Sequence, residues 1–339
     1  MAIWESDIAF RYAPVVLQKA HTDFLRADYL TRVDFAHRWP EVWRNWSAPW
    51  AKKADGTWAH RLLAHGYYSV VATHTHFFVA YAFYHPQDWS AFWGNPARSS
   101  PGRTDQHLHD MEGCLLIVPR ADDADLTGRG VVAMITISHW HFFSFAGWEG
   151  ANVDLPFNVS GWKESVDGPI LVTDRFAGER REPPWRPKLY VQSGGHGIKG
   201  SQDGWGDSDL VVRYRPTLGT PGEPGDTFTE DADIWTQTVP YKLLSVFGRG
   251  GLWAHREDAR VIQTNDKGRD AFVVRKSGRF EPGSANPPWG WDDANDAHKP
   301  GEFAWDPAHL GQGYFAGLRE YSGEYVHNPY VGILRRGRR

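Results

Sequence analysis

The chain has 339 residues, enough for one large domain or two ordinary ones, and its 41% hydrophobic and 23% charged residues exclude a disordered polypeptide. A formal charge of −4 supplies no basic field for a phosphate backbone, which sets nucleic-acid binding aside. A single cysteine, Cys114, rules out an intramolecular disulfide and a CxxC zinc pattern, and no stretch of about 18 apolar residues offers a membrane span.

The opening "MAIWESDIAFRYAP" lacks the basic start and apolar run of a secretory signal, so a cytoplasmic protein is expected, although a secreted chain trimmed of its signal would read the same. From there, short segments rich in β-branched and aromatic residues recur between Gly, Pro, Asp and Asn clusters, which predicts a mainly β protein. The predicted strands are Tyr67–Phe83, Glu112–Val118, Val131–Phe145, Ile170–Thr173, Lys188–Ser193 and Ala271–Val274, with a shorter one in "DSDLVVRYRP" that ends at Pro216. Several are apolar on both faces, as expected where two sheets pack or helices cover a sheet. The run "RPTLGTPGEPGDTFTED" reads as a long surface loop. Beyond it, "VPYKLLSVFGRGGLWAHRED" predicts one short helix before Gly248 and "DPAHLGQGYFAGLREY" another, and the "LRRGRR" tail reads as a solvated end. One β-rich domain over residues 1–339 is expected, with a peripheral C-terminal extension from about residue 216 as the alternative. The 18 Trp, 13 Tyr and 18 Phe predict rings along clefts and sheet edges.

Three His-x-His dyads carry the chemistry: His74/His76, His107/His109 and His139/His141. Alternate side chains of a strand share a face, so each dyad can aim two imidazoles one way, at a metal or at a polar sheet face. The middle dyad differs because Asp110 and Glu112 follow it at once in "DQHLHDMEGCLLIV". Carboxylates suit hard divalent ions and imidazole widens the choice, so Mg, Ca, Mn and Zn all stay open. In a fully extended strand His107 and His109 would face away from Asp110 and Glu112, so convergence requires a bend or bulge near Leu108. In "YVQSGGHGIKGS", glycines on both sides of His196 allow a sharp turn that brings it to another element or a ligand. The acidic runs "DGWGDSD" and "WDDANDAHKPGEF" fit no EF-hand order and read as solvated loops, and no GxSxG, HExxH, Walker loop or GxGxxG opening a helix occurs.

Together "HLHDMEGCLLIV" and "VQSGGHG", with "HFFVAYAFYHPQDW" upstream, resemble the motifs of necrosis-inducing (NPP1-like) proteins and of relatives of the vacuolar sorting protein 62 group, over roughly residues 67 to 201. The resemblance implies a β-sandwich with short peripheral helices and long loops, and a divalent ion held by His107, Asp110 and Glu112 with His196 lining the same cavity. Met111 stands where the family commonly has Trp, and Asp105 and Asp88 are the candidates for its additional upstream acidic ligand. His109, His74 and His76 are further candidates for the metal or its pocket.

Three uses of such an ion are compatible with the residues. The leading expectation is a divalent-metal-dependent hydrolase or lyase acting on a small or medium-sized substrate in an aromatic-lined cleft, with His196, His139 or His141 as acid or base. The alternative is a module that binds a glycan or lipid headgroup through the ion and exposed Trp rings, without turnover. In the third, the ion only ties a loop to the fold.

Overall fold

A computed structural model describes residues 3–22, 25–33, 35, 52–89, 107–120, 130–148, 166–172, 185–201, 210–231, 234–276, 279–294, 300–315 and 321–333. Asp105, the "DGWGDSD" run and the basic tail lie outside the described residues. The protein is mainly β with a few short helices. Its strands are β1 (Val15–Ala20), β2 (His65–Thr73), β3 (His76–Asp88), β4 (His107–Pro119), β5 (Ala133–Ser138), β6 (His141–Trp148), β7 (Gly168–Ile170) and β8 (Lys188–Val191). They continue as β9 (Ile198–Lys199), β10 (Leu210–Thr217), β11 (Thr229–Asp231), β12 (Ile234–Ser245), β13 (Ile262–Thr264), β14 (Asp270–Lys276), β15 (Arg279–Pro282) and β16 (Tyr325–His327). The helices are α1 (Ile3–Tyr12), α2 (Leu25–Asp28), α3 (Glu302–Trp305) and α4 (Pro307–Phe315), the last within the segment predicted to be helical.

One sheet runs in the order β7-β6-β5-β4-β3-β2-β12-β10-β1-β8-β9, with β11 added at β12 and β16 at β2, and β13-β14-β15 form a small second sheet. The large sheet curls until β9 lies against β5. That approach is close: a Cβ at Gly197, just before β9, would sit 2.2 Å from Ser138 Oγ at the end of β5, so only glycine fits. The two halves of the curled sheet face each other across a core that includes Val79, Tyr81, Phe83 and Leu116 from one half and Val16, Leu189, Val212 and Tyr241 from the other. The outer face of β3–β5 is covered by the small sheet and the C-terminal helices, through Phe78, Leu115, Ile117, Phe272, Phe303, Leu310 and Tyr314. This two-sided burial explains why "CLLIV" reads as a continuous apolar run.

Local structure departs from the sequence reading at several points. Tyr67–Phe83 is two strands, not one, turning at His74 and Thr75, and Val131–Phe145 likewise turns at His139 and Trp140. Neither turn carries a Gly, Pro or Asn signal. The helix expected before Gly248 is instead β12, lying parallel to β10 and to β2, so residues beyond 216 thread into the middle of the large sheet. Flanking strands there override the helix expected from the local sequence. The surface loop is shorter than expected, because β10 reaches Thr217 and β11 starts at Thr229, and its Glu223 lies 3.4 Å from Arg26 and 3.1 Å from Arg61. Nor is "WDDANDAHKPGEF" a solvated run throughout. Asp293 is 1% exposed and accepts from the Phe142 N–H at 3.2 Å, while Asp292 pairs with Arg269 at 2.6 Å.

Candidate functional site

The site is built where β3 ends and β4 begins. Antiparallel pairing sets Asp88 opposite His107 and His85 opposite Asp110, which brings two carboxylates and two imidazoles to one end of the strand pair. Three further segments close on this point. The turn between β5 and β6 carries His139 and Trp140, the turn between β8 and β9 carries His196, and α2 ends in Asp28. Gly113 makes room for the wall opposite, since a Cβ there would lie 2.5 Å from the Trp291 ring, whose Nε1–H donates to the Met111 carbonyl at 3.1 Å.

The bend expected near Leu108 is present one residue later. His109 has φ 57°, while strand pairing continues in register on both sides of it. Among the described residues, the only other non-glycine residues with positive φ are His139 (63°) and His196 (49°). Left-handed backbone costs on the order of 1–2 kcal/mol at a residue with a side chain and collects at functional sites. All three strained residues belong to the segments that meet here.

His107, Asp110, Met111, Glu112, His139 and Trp140 line a recess whose other wall is Arg269, Ser284, Ala285, Asn286, Trp291 and Asp292. His107 donates from both ring nitrogens, Nε2 to Asp88 at 3.2 Å and Nδ1 to the His109 carbonyl at 2.8 Å. Burial works against its charge, but the Asp88 bond and the nearby Asp110 outweigh it and hold the imidazole up to about 9. Glu112 accepts from the His139 backbone N–H at 2.9 Å through Oε1, whereas Oε2 is buried with no hydrogen-bond partner. Burial first, then the Asp110 charge, pushes this carboxyl well above the ordinary carboxylate range. On the opposite wall Arg269 Nε and Asp292 Oδ1 are likewise buried without partners. Trp140 stands at the mouth with 55% of its surface exposed.

His196 does not line the recess. It is fully buried behind it, with Nδ1 2.9 Å from Asp110 Oδ2 and Nε2 3.0 Å from Asp28 Oδ1. Burial would depress its basicity, yet the two carboxylates raise it to about 9. His85 stacks on it at 3.9 Å with planes 5° apart and is held well below the ordinary histidine range by burial and by the His196 charge.

The remaining candidates separate. His109 points to the outer face, where its Nδ1 meets the Tyr84 hydroxyl at 2.6 Å and burial with the His107 charge lowers it to about 3. His141 is exposed at the start of β6. His74 and His76 flank the turn at the far end of β3, about 40 Å along the strand by its rise. There His74 pairs with Glu324 at 3.4 Å, and His76 packs on Tyr321 at 4.8 Å. Sequence reasoning missed Asp28, His85, Arg269 and Asp292, and passed over Trp140, although a tryptophan between two histidines was a usable signal.

The donor set at the recess suits a divalent cation by chemistry: two carboxylates, an imidazole, and one carboxylate oxygen that is buried and unpartnered. The donor atoms of His107, Asp110 and Glu112 are nonetheless not mutually within 4.8 Å, and among the described residues only Glu302, Asp306 and His309, at the α3–α4 corner, meet that distance.

No family model matches the sequence, and no curated protein does. Solved structures of necrosis- and ethylene-inducing proteins do. One, NLPPya in complex with glucosamine, is 15% identical with a TM-score of 0.29 over 60% of this chain and 69% of that one. Another, Necrosis and Ethylene inducing Protein 2 from the causal agent of cocoa's Witches Broom disease, is 15% identical with a TM-score of 0.23 over 42% of this chain and 48% of that one. The non-toxic HaNLP3 protein is 16% identical with a TM-score of 0.19, over 42% and 57%. Structures of the family that the sequence resembles are thus among those that match.

Proposed function

We propose that the recess binds the sugar headgroup of a glycan or glycolipid, assisted by a divalent cation, without turning it over. The observation that supports this reading is a set of three buried polar atoms lacking partners, Glu112 Oε2, Arg269 Nε and Asp292 Oδ1, around one recess with an exposed tryptophan at its mouth. Such atoms cost about 1–3 kcal/mol each until something satisfies them. A sugar supplies hydroxyls that both donate and accept, and an apolar ring face that packs on Trp140.

His107, Asp110 and Glu112, whose donor atoms are not mutually within 4.8 Å, would have to draw together to hold the cation, which when bound would neutralise the acidic wall and coordinate hydroxyl oxygens. To ligate through Nε2, His107 would have to release to solvent the proton it now shares with Asp88, whose carboxylate beside it would be a further candidate oxygen donor. The position of His196, whose two nitrogens are engaged by carboxylates behind the recess rather than facing a substrate, removes one of the three candidate acids or bases, and His139 is the one that lines the recess. A glycan-array and glycolipid-vesicle screen tests the proposal, run with Ca²⁺, Mg²⁺, Mn²⁺ or Zn²⁺ and again with chelator. Retention that is lost in Trp140→Ala and in chelator supports it. Product release, or retention indifferent to both, overturns it.

A further inference from the structure

We infer that Asp28 is the positioning residue of this site: it fixes the His196 ring, and through that ring the Asp110 carboxylate at the recess wall. The inference rests on Asp110 serving as a recess donor, as proposed above.

Asp28 is fully buried, and four donors from separate parts of the chain converge on it. Oδ1 accepts from Trp89 Nε1 at 2.8 Å, from the Gly194 N–H at 2.9 Å and from His196 Nε2 at 3.0 Å, while Oδ2 accepts from the His21 N–H at 3.0 Å. A carboxylate held at both oxygens has no freedom to follow a moving partner, so it sets the direction of the imidazole. The Gly194 bond also ties the turn that carries His196 to the same anchor. One ring face is closed by His85, whose own Nδ1 lies 3.0 Å from the Asp28 carbonyl oxygen. With Nε2 held in this way, His196 Nδ1 faces Asp110 Oδ2 at 2.9 Å. A carboxylate oxygen thus stands at hydrogen-bonding distance from each ring nitrogen, the arrangement that suits two N–H donors.

Protein labelled with ¹⁵N-histidine tests this by NMR, alongside a Mn²⁺ titration. In the wild-type protein both His196 ring protons are expected to be protected from solvent exchange, and finding either one unprotected overturns the inference. Asp28→Asn is expected to lose protection at Nδ1, the nitrogen facing the unmutated Asp110, and to weaken Mn²⁺ binding about tenfold or more, the usual cost of losing a group that orients a metal ligand. Trp89→Phe, which removes one anchor from Asp28 and keeps its charge, is expected to give a smaller shift in the same direction. Val79→Ala, a core variant that also lowers stability, serves as the control and is expected to move neither readout. If Nδ1 protection is unchanged in Asp28→Asn and Trp89→Phe, Asp28 does not position Asp110. Absence of Mn²⁺ binding by the wild-type protein would instead count against the cation in the recess, and the exchange data would still decide the role of Asp28.

Discussion

Two polar clusters stand back to back at this end of the sheet, and they differ in how their hydrogen-bonding capacity is spent. Behind the recess, the Asp28 and Asp110 carboxylates and both nitrogens of His196 meet at 2.9–3.0 Å with no exposure of the imidazole, and the stacked His85 keeps one buried nitrogen, Nε2, without a hydrogen-bond partner. In the recess itself, Glu112, Arg269 and Asp292 each keep a buried polar atom without a partner, and Trp140 faces solvent. A satisfied network rigidifies and specifies a fold, whereas a half-satisfied one is held in place at a cost that a ligand can recover. The first cluster is therefore read as framework and the second as binding surface.

The largest effect expected from breaking this contrast is in the framework. His196→Ala leaves two buried carboxylates facing each other without a cation between them, which should cost about 3–5 kcal/mol in urea denaturation. A loss below about 1 kcal/mol would place these groups in water-like surroundings instead.

The pH dependence comes next. His196 and His107 are held up to about 9 against an ordinary value of 6.5, so the folded state binds their protons more tightly than the unfolded state does. Their stabilisation is complete below about pH 6.5 and is lost as pH rises through about 9. Thermal melts of cation-free protein should therefore show a melting temperature falling across this window, and one that rises would contradict the assignment of charge.

Smaller effects belong to the recess and have the opposite sign. Glu112→Gln removes the ionisation penalty of a buried carboxyl while its amide oxygen still accepts from the His139 N–H, so in chelator it should gain about 1 kcal/mol at neutral pH. The same variant should lose any rise in melting temperature on adding cation. His139→Gly relieves left-handed strain and keeps that backbone N–H, and should also gain about 1 kcal/mol. Trp140→Ala should change stability by less than about 0.5 kcal/mol while abolishing retention of sugar.

Much of this was readable from sequence, though unevenly. β-branched and aromatic density gave the mainly β fold, and the crowding of His107, Asp110 and Glu112 marked one wall of the site because those residues are neighbours in the chain. The opposite wall was not legible. Arg269 and Asp292 come from segments far away in sequence, and an acidic run such as "WDD" looks solvated until Phe142 and Arg269 are seen against it. Asp28 has no local signal at all, since "FLRADYL" reads as an ordinary helical fragment and its role appears only when Trp89, Gly194 and His196 arrive from elsewhere. The turns at His74 and His139 were missed because histidine occupies positions where glycine or asparagine would have announced them.

Calorimetric titration of tag-free protein with each divalent cation tests most directly what the unpartnered Glu112 oxygen is for. Loss of one bound cation per chain on going from the wild-type protein to Glu112→Gln, with sugar retention following the same pattern, is the result expected. Equal binding in both proteins, or sugar retention in chelator, would contradict it.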